Sequence, residues 1–337
     1  MDYAKSENTL RITALWAFSE ALLGGILHAL QVPFTGLILS AFAVICMAAL
    51  AASGYHRGKI LKATLLVIIV KAMLSPHTPV AAYFAVFLQG LFGEMIFLIG
   101  IPYFISCLSL GIFALLQSAF QKLIILTILF GMSFWKAMDE FLNSIIMQLG
   151  FENVSYSFYI VAVFVLLHLI AGILTGIFAG RLPKYFNTSE KEFSSLQFQI
   201  PGSFEEPQPG KSKKKKFANP LFWILFLVLA LGLYQAYSDG SMMAFIESKA
   251  LRLLTRAVLV LIFWYFFLAP LLLKLFHNWI LKQRNKFANE IEKIIQLIPE
   301  MKFITIQCWN KTSDTKGFGR LNKFIRFTFY MLMKNTK

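Results

Sequence analysis

Seven side chains could do chemistry in an otherwise oily chain: Glu20, His28, Lys71, His77, Gln89, Glu94 and His168. Each sits inside or at the edge of a long apolar run. An ionisable group at membrane depth costs several kcal/mol unless it is paired or faces water, which makes each one a candidate for function. A helical rise of ~1.5 Å per residue sets their expected depths. Glu20, Gln89 and His168 fall near the middle of their runs. Glu94 falls nearer the inner surface. Lys71 falls near the outer surface, with His28 and His77 at the same side. Lys71, His28 and His77, with Gln89 below, are therefore predicted to form a substrate-binding mouth. That set suits a carboxylate or another anionic group on a small solute. The plainer reading is a lysine snorkelling to headgroups beside two loop histidines. Glu20, Glu94 and His168 are predicted to pair within the bundle or to couple a proton.

Other chemistry finds little support. The chain carries no P-loop, nucleophile elbow or HExxH, so it does not read as an enzyme. No HxxxH pair exists and no carboxylate stands beside His28 or His77, so no metal site and no cofactor is expected. Cys46, Cys107 and Cys308 make no CxxC spacing, which argues against a disulfide framework or a zinc site.

The elements that must hold these residues are apolar blocks. Of 337 residues, 58% are hydrophobic and only 15% are charged. A span needs roughly 20 mostly apolar residues to cross ~30 Å of hydrocarbon. Six blocks meet or approach that length: about Arg11–Leu30, Phe34–Ser53, Ile60–Leu74, Val80–Ile99, Ile101–Trp135 and Ser157–Gly180. The net charge of +15 collects between the blocks, as Lys and Arg do on the inner side of membrane proteins. A nucleic-acid partner is not expected, because no segment is long enough for a sizeable soluble basic domain. With the N-terminus inside, the basic turn 54–59 is inside and the Ser75–Pro79 turn is outside. One long crossing by Ile101–Trp135 then leaves the acidic 136–156 loop outside and Arg181 inside.

The expected fold class is thus all-α: a polytopic transmembrane helical bundle of six spans plus a two-span hairpin, with cytoplasmic amphipathic helices. Residues 1–181 make the six-helix bundle. Residues 182–218, with their Pro, Gly and Lys211–Lys216 run, read as a flexible basic linker. Residues 219–276 make the hairpin, with Pro270 kinking its second span. The tail, 277–337, is basic. Phe287, Ile291, Ile294, Ile295 and Ile298 recur at helical spacing up to Pro299, which is expected to end that helix, and Leu321, Phe324, Ile325 and Phe329 repeat the pattern. Both helices are expected to lie on the membrane face or dock on a partner. The location is the inner or plasma membrane, in contact with lipid and with both termini cytoplasmic.

Ala17, Ala21 and Gly25 form a small-residue stripe that would let another helix approach closely. The AxxxA spacing within Ala17-Phe18-Ser19-Glu20-Ala21, the six spans and the stretch Tyr83–Glu94 resemble the substrate-binding S component of energy-coupling-factor importers. The resemblance covers about residues 10–181. It implies a six-helix bundle that captures a vitamin, metal or metabolite between the outer loops Leu27–Thr35 and Leu74–Pro79. It also implies that the stripe contacts a transmembrane coupling subunit carried on cytoplasmic ATPases. The chain departs from that family in its hairpin and basic tail, and the Ala-Arg-Gly signature of the coupling subunit is absent. Two other functions remain open: a membrane scaffold recruiting a cytoplasmic partner through the tail, and an intramembrane enzyme acting on lipid-linked substrates.

Overall fold

In the computed structural model, residues 2–29, 34–75, 78–147, 155–193, 196–201, 258, 260–261 and 263–334 are described. Among them every regular element is helical and none is a strand. Helix α1 (Asp2–Phe18) passes through a five-residue π turn (Ser19–Leu23) into α2 (Gly24–Ala29). Then follow α3 (Thr35–Ala52), α4 (Lys59–Leu74), α5 (Val80–Leu98), α6 (Tyr103–Phe130), α7 (Met132–Met147), α8 (Tyr156–Gly180) and α9 (Leu182–Phe193). A second π turn (Trp264–Leu268) leads into α10 (Ala269–Lys286), followed by α11 (Ala288–Lys311) and α12 (Gly317–Lys334).

Among the described residues five segments are long and apolar enough to cross a membrane: Glu7–Leu27, Thr35–Ala52, Val80–Leu98, Tyr103–Phe130 and Tyr156–Gly180. They coincide with five of the six apolar blocks. Their surface fits that medium. Phe113, Ile124, Leu166 and Leu174 on α6 and α8 are exposed, an apolar coat that favours lipid over water. The third block, α4, has 16 residues and is shorter than the usual span. The block Ile101–Trp135 is mostly one unbroken 28-residue helix, α6. Most of the expected hairpin 219–276, and the lysine run, lie outside the described residues.

The chain clusters into two compact units. The first comprises residues 1–122, 161–206 and 272–337. Its core joins Trp16, Met47, Leu50, Ile68 and Leu110 from the N-terminal helices to Ile294, Met301 and Phe327 from the C-terminal ones. Glycines allow the closest crossings. A Cβ at Gly90 on α5 would come 2.0 Å from the Thr64 hydroxyl on α4. Gly172, Gly176 and Gly180 form a stripe on α8 against α6, where a Cβ at Gly111 would come 2.4 Å from the Gly172 carbonyl oxygen. The second unit comprises residues 123–160 and 207–271. Within it, the expected acidic loop contains the amphipathic helix α7. Asp139 on that helix accepts the Ser157 N–H at 2.6 Å and the Ser157 hydroxyl at 2.9 Å, closing the start of α8.

Three expectations about the C-terminal half are corrected. Pro299 does not end its helix, because α11 runs on to Lys311. A proline sacrifices one intrahelical hydrogen bond, but Ile294, Ile298, Met301 and Ile304 are buried on either side of it, and that packing keeps the helix together. The apolar stripe of α11 does not await a membrane or a partner. It packs on α1 and α4 of the same unit, and α12 packs on α9 and α11. The supposed linker begins instead with helix α9, whose Phe193 is fully buried against Phe327 at 4.9 Å between ring centroids. Pro270 stands second in α10, directly after the π turn Trp264–Leu268, and the helical run continues through it.

Candidate functional site

The first centre is an ion pair. Glu20 lies on the π turn of the first span and Lys71 in the last turn of α4. The Lys71 ammonium donates to the Glu20 carboxylate at 2.7 Å, with side chains only 6% and 3% exposed. Lys71 therefore does not snorkel to an outer surface or stand open in a mouth. A buried charge finds an opposite charge, and Glu20 supplies it. The Tyr83 ring on α5 lies 6.0 Å from the same ammonium. Tyr83 in turn donates its hydroxyl to the Ser75 carbonyl at 3.1 Å, beside the end of α4. Local π geometry is rare and concentrates at functional positions. Here it presents Glu20 toward α4.

The second polar set is neutral. Gln89 on α5 donates its amide to the Ser40 hydroxyl at 2.8 Å and to the Gln117 side-chain oxygen at 3.0 Å. These bonds tie α5 to α3 and α6. Gln89 is thus not joined to Lys71, and Ser40, Gln117 and Tyr83 are partners the spacing of the sequence did not single out. The available signal was only that each is a polar group within an apolar run.

Glu94 pairs within the bundle, with the entry to α4. Its carboxylate accepts the backbone N–H groups of Gly58 at 2.6 Å, Ile60 at 3.0 Å and Leu61 at 3.1 Å, and the Tyr55 hydroxyl at 2.7 Å. The first turn of α4 has unsatisfied donors and a partial positive charge, and an acidic group from another helix meets both needs. Gly58 makes the entry possible with φ +83°. Burial and the bond to Glu94 push the Tyr55 phenol up from its ordinary value.

His168 is fully buried. Its Nδ1 lies 2.9 Å from the Phe164 carbonyl oxygen, which only accepts, so Nδ1 carries a proton. Phe34, at a left-handed φ of 60°, packs on Phe164 and lies 6.1 Å from the His168 ring. Among the described residues no group bonds Nε2. His77 lies outside the described residues, as does the side chain of His28, which stands in α2. Of the small-residue stripe, Ala17 and Ala21 are buried within the chain's own unit, and only Gly25 faces open space. Two of its three positions are therefore closed to another helix.

Three further ion pairs clamp the C-terminal helices. Arg11 on α1 pairs with Glu300 on α11. Lys62 on α4 pairs with Glu290 on α11 at 2.9 Å. Arg326 on α12 pairs with Glu192 on α9 and stacks 4.8 Å from the Tyr185 ring. Burial raises the Glu300 carboxyl despite Arg11 beside it. At Glu290 burial pushes up, but the bond and charge of Lys62 outweigh it and the carboxyl is held below its ordinary range. All three cysteines are free and buried, and burial pushes Cys308 up to about 12. Among the described residues no group of three or more His, Cys, Asp or Glu is placed to hold a metal ion. No family model, curated protein or solved structure matches this chain.

Proposed function

We propose that the chain is a membrane transport component that captures a small polar or anionic solute within its helical bundle, with Lys71 as the cationic contact. The Glu20–Lys71 pair is the observation that supports this reading. A buried ion pair adds little net stability, because desolvation consumes most of the Coulomb gain. Its persistence among apolar helices suits exchange better than scaffolding. A solute carboxylate replaces Glu20 at the ammonium, and a proton taken up by Glu20 keeps the centre neutral overall. The resemblance to S components belongs to the same reading, as do six spans plus two, cytoplasmic termini, a coupling subunit and cytoplasmic ATPases. With Ala17 and Ala21 buried, that coupling subunit would have to meet a different face.

A thermal-shift screen of vitamins, metal ions and organic anions on detergent-purified protein tests it. An anionic solute is expected to raise the melting temperature, and Lys71→Gln is expected to abolish that rise. Silence across the screen, or a hit indifferent to Lys71→Gln, would overturn the reading.

A scaffold is the second reading, and one observation favours it. Phe318 is 92% exposed at the start of α12, three positions before Leu321, and Leu321 and Trp309 are also exposed. Replacing Phe318 and Leu321 by Ser should then release a bound cytoplasmic partner and leave solute binding unchanged.

A further inference from the structure

The start of α4, α1 and α11 enclose a cleft of about 570 Å³ that the solute site does not use. Its walls differ in chemistry. Leu10 and Leu66 give one apolar side, while Lys59, Lys62 and Lys293 bring three ammonium groups against the single carboxylate of Glu290. Lys59 is buried and fixed, donating to the Ser53 hydroxyl at 2.8 Å and the Gly54 carbonyl at 2.9 Å. Lys62 spans from α4 to Glu290 on α11, and Lys293 stands exposed one turn further along α11. The low-lying Glu290 carboxyl stays ionised at neutral pH and offsets one of the three ammonium charges.

We propose that this cleft binds a phosphoryl anion, held by Lys62 and Lys293 over the buried Lys59. An ammonium is a point charge with rotatable donors, suited to a phosphate approached from several directions. Two sources offer that group: the headgroup of an anionic phospholipid, whose first methylenes would lie along Leu10 and Leu66, and a free phosphate. Basic pockets between membrane helices commonly take such headgroups.

The full-length protein in a neutral detergent is titrated with phosphatidylglycerol and, separately, phosphatidylcholine by native mass spectrometry. Inorganic phosphate is titrated in parallel by thermal shift. Phosphatidylglycerol binding without a phosphate effect names the lipid as the source, and a phosphate effect without lipid preference names the free anion. In either case Lys293→Gln, at an exposed position that leaves folding intact, is expected to weaken binding about fivefold, the weight of one lysine near a phosphate. Glu290→Gln is expected to tighten binding, although it removes an ion pair. The proposal falls if neither probe prefers the wild type, if Lys293→Gln binds like the wild type, or if Glu290→Gln weakens binding as the lysine variant does.

Discussion

Glu94 and Gly58 lie 36 positions apart, and Glu94 Oε1 accepts the Gly58 N–H at 2.6 Å. The same carboxylate takes the next turn's donors and the Tyr55 hydroxyl, so the entry to α4 is held by a residue of α5. Glu94→Ala should lower stability by about 2–3 kcal/mol, since several charge-assisted bonds to a buried group are lost. Glu94→Gln keeps one acceptor and should cost about half of that. Melting temperatures of the purified variants check both values. Equal stability of wild type and Glu94→Ala would show that α4 starts without this cap.

The Glu20–Lys71 pair gives a cycle with a non-additive outcome. Lys71→Met alone leaves a buried carboxylate uncompensated and should cost about 3–5 kcal/mol. Adding Glu20→Leu should recover most of the loss, because two apolar groups need no partner. If the double variant is as unstable as the sum of the singles, the two side chains do not interact.

Two glycine crossings respond differently to the same change. Gly90→Ala pushes against the Thr64 side chain and should cost about 1–3 kcal/mol, relieved by a second change, Thr64→Ala. Gly111→Ala pushes against the backbone of Gly172 and Gly176, where no side chain can yield. Its loss should be at least as large, and no substitution at a neighbouring side chain should relieve it. Thermal melts of Gly90→Ala, of Gly90→Ala with Thr64→Ala, and of Gly111→Ala decide this.

The two acids that clamp α11 predict opposite pH responses. Glu300 is raised in the folded protein, so its contribution to stability is present below its unfolded value and fades as pH rises through the folded one. Glu290 is lowered, so its contribution is present above its unfolded value and fades as pH falls through the folded one. In melts between about pH 3 and 7, Glu300→Gln should remove a gain on acidification and Glu290→Gln should remove a loss. Identical pH profiles for the two variants would contradict these assignments.

Much of the helical framework was readable from apolar block length alone, because about 20 oily residues have few other stable homes. The place of Lys71 near the end of its apolar block was readable as well, but its partner was not. Glu20 is 51 positions away, and a π turn sets its direction. No periodicity reports that turn. Pro299 misled for a related reason. Its local preference was plain, but burial of Ile294, Ile298 and Met301 on α1 and α4 decided the outcome. The buried faces of α9 and α11 were likewise hidden, because an amphipathic stripe does not say whether lipid, a partner or its own chain will cover it. Glu94 lay in a legible place with an illegible task, since capping α4 depends on how closely α5 passes.

The Arg11–Glu300 clamp joins residues 289 positions apart. During synthesis the ribosome must therefore add 289 residues after Arg11 before this clamp can close. Until then the side of α1 that α11 will cover stays without its permanent cover. A message cut short anywhere before codon 288 would leave that side bare in every copy made, so quality-control proteases should clear such fragments faster than chains that carry α11.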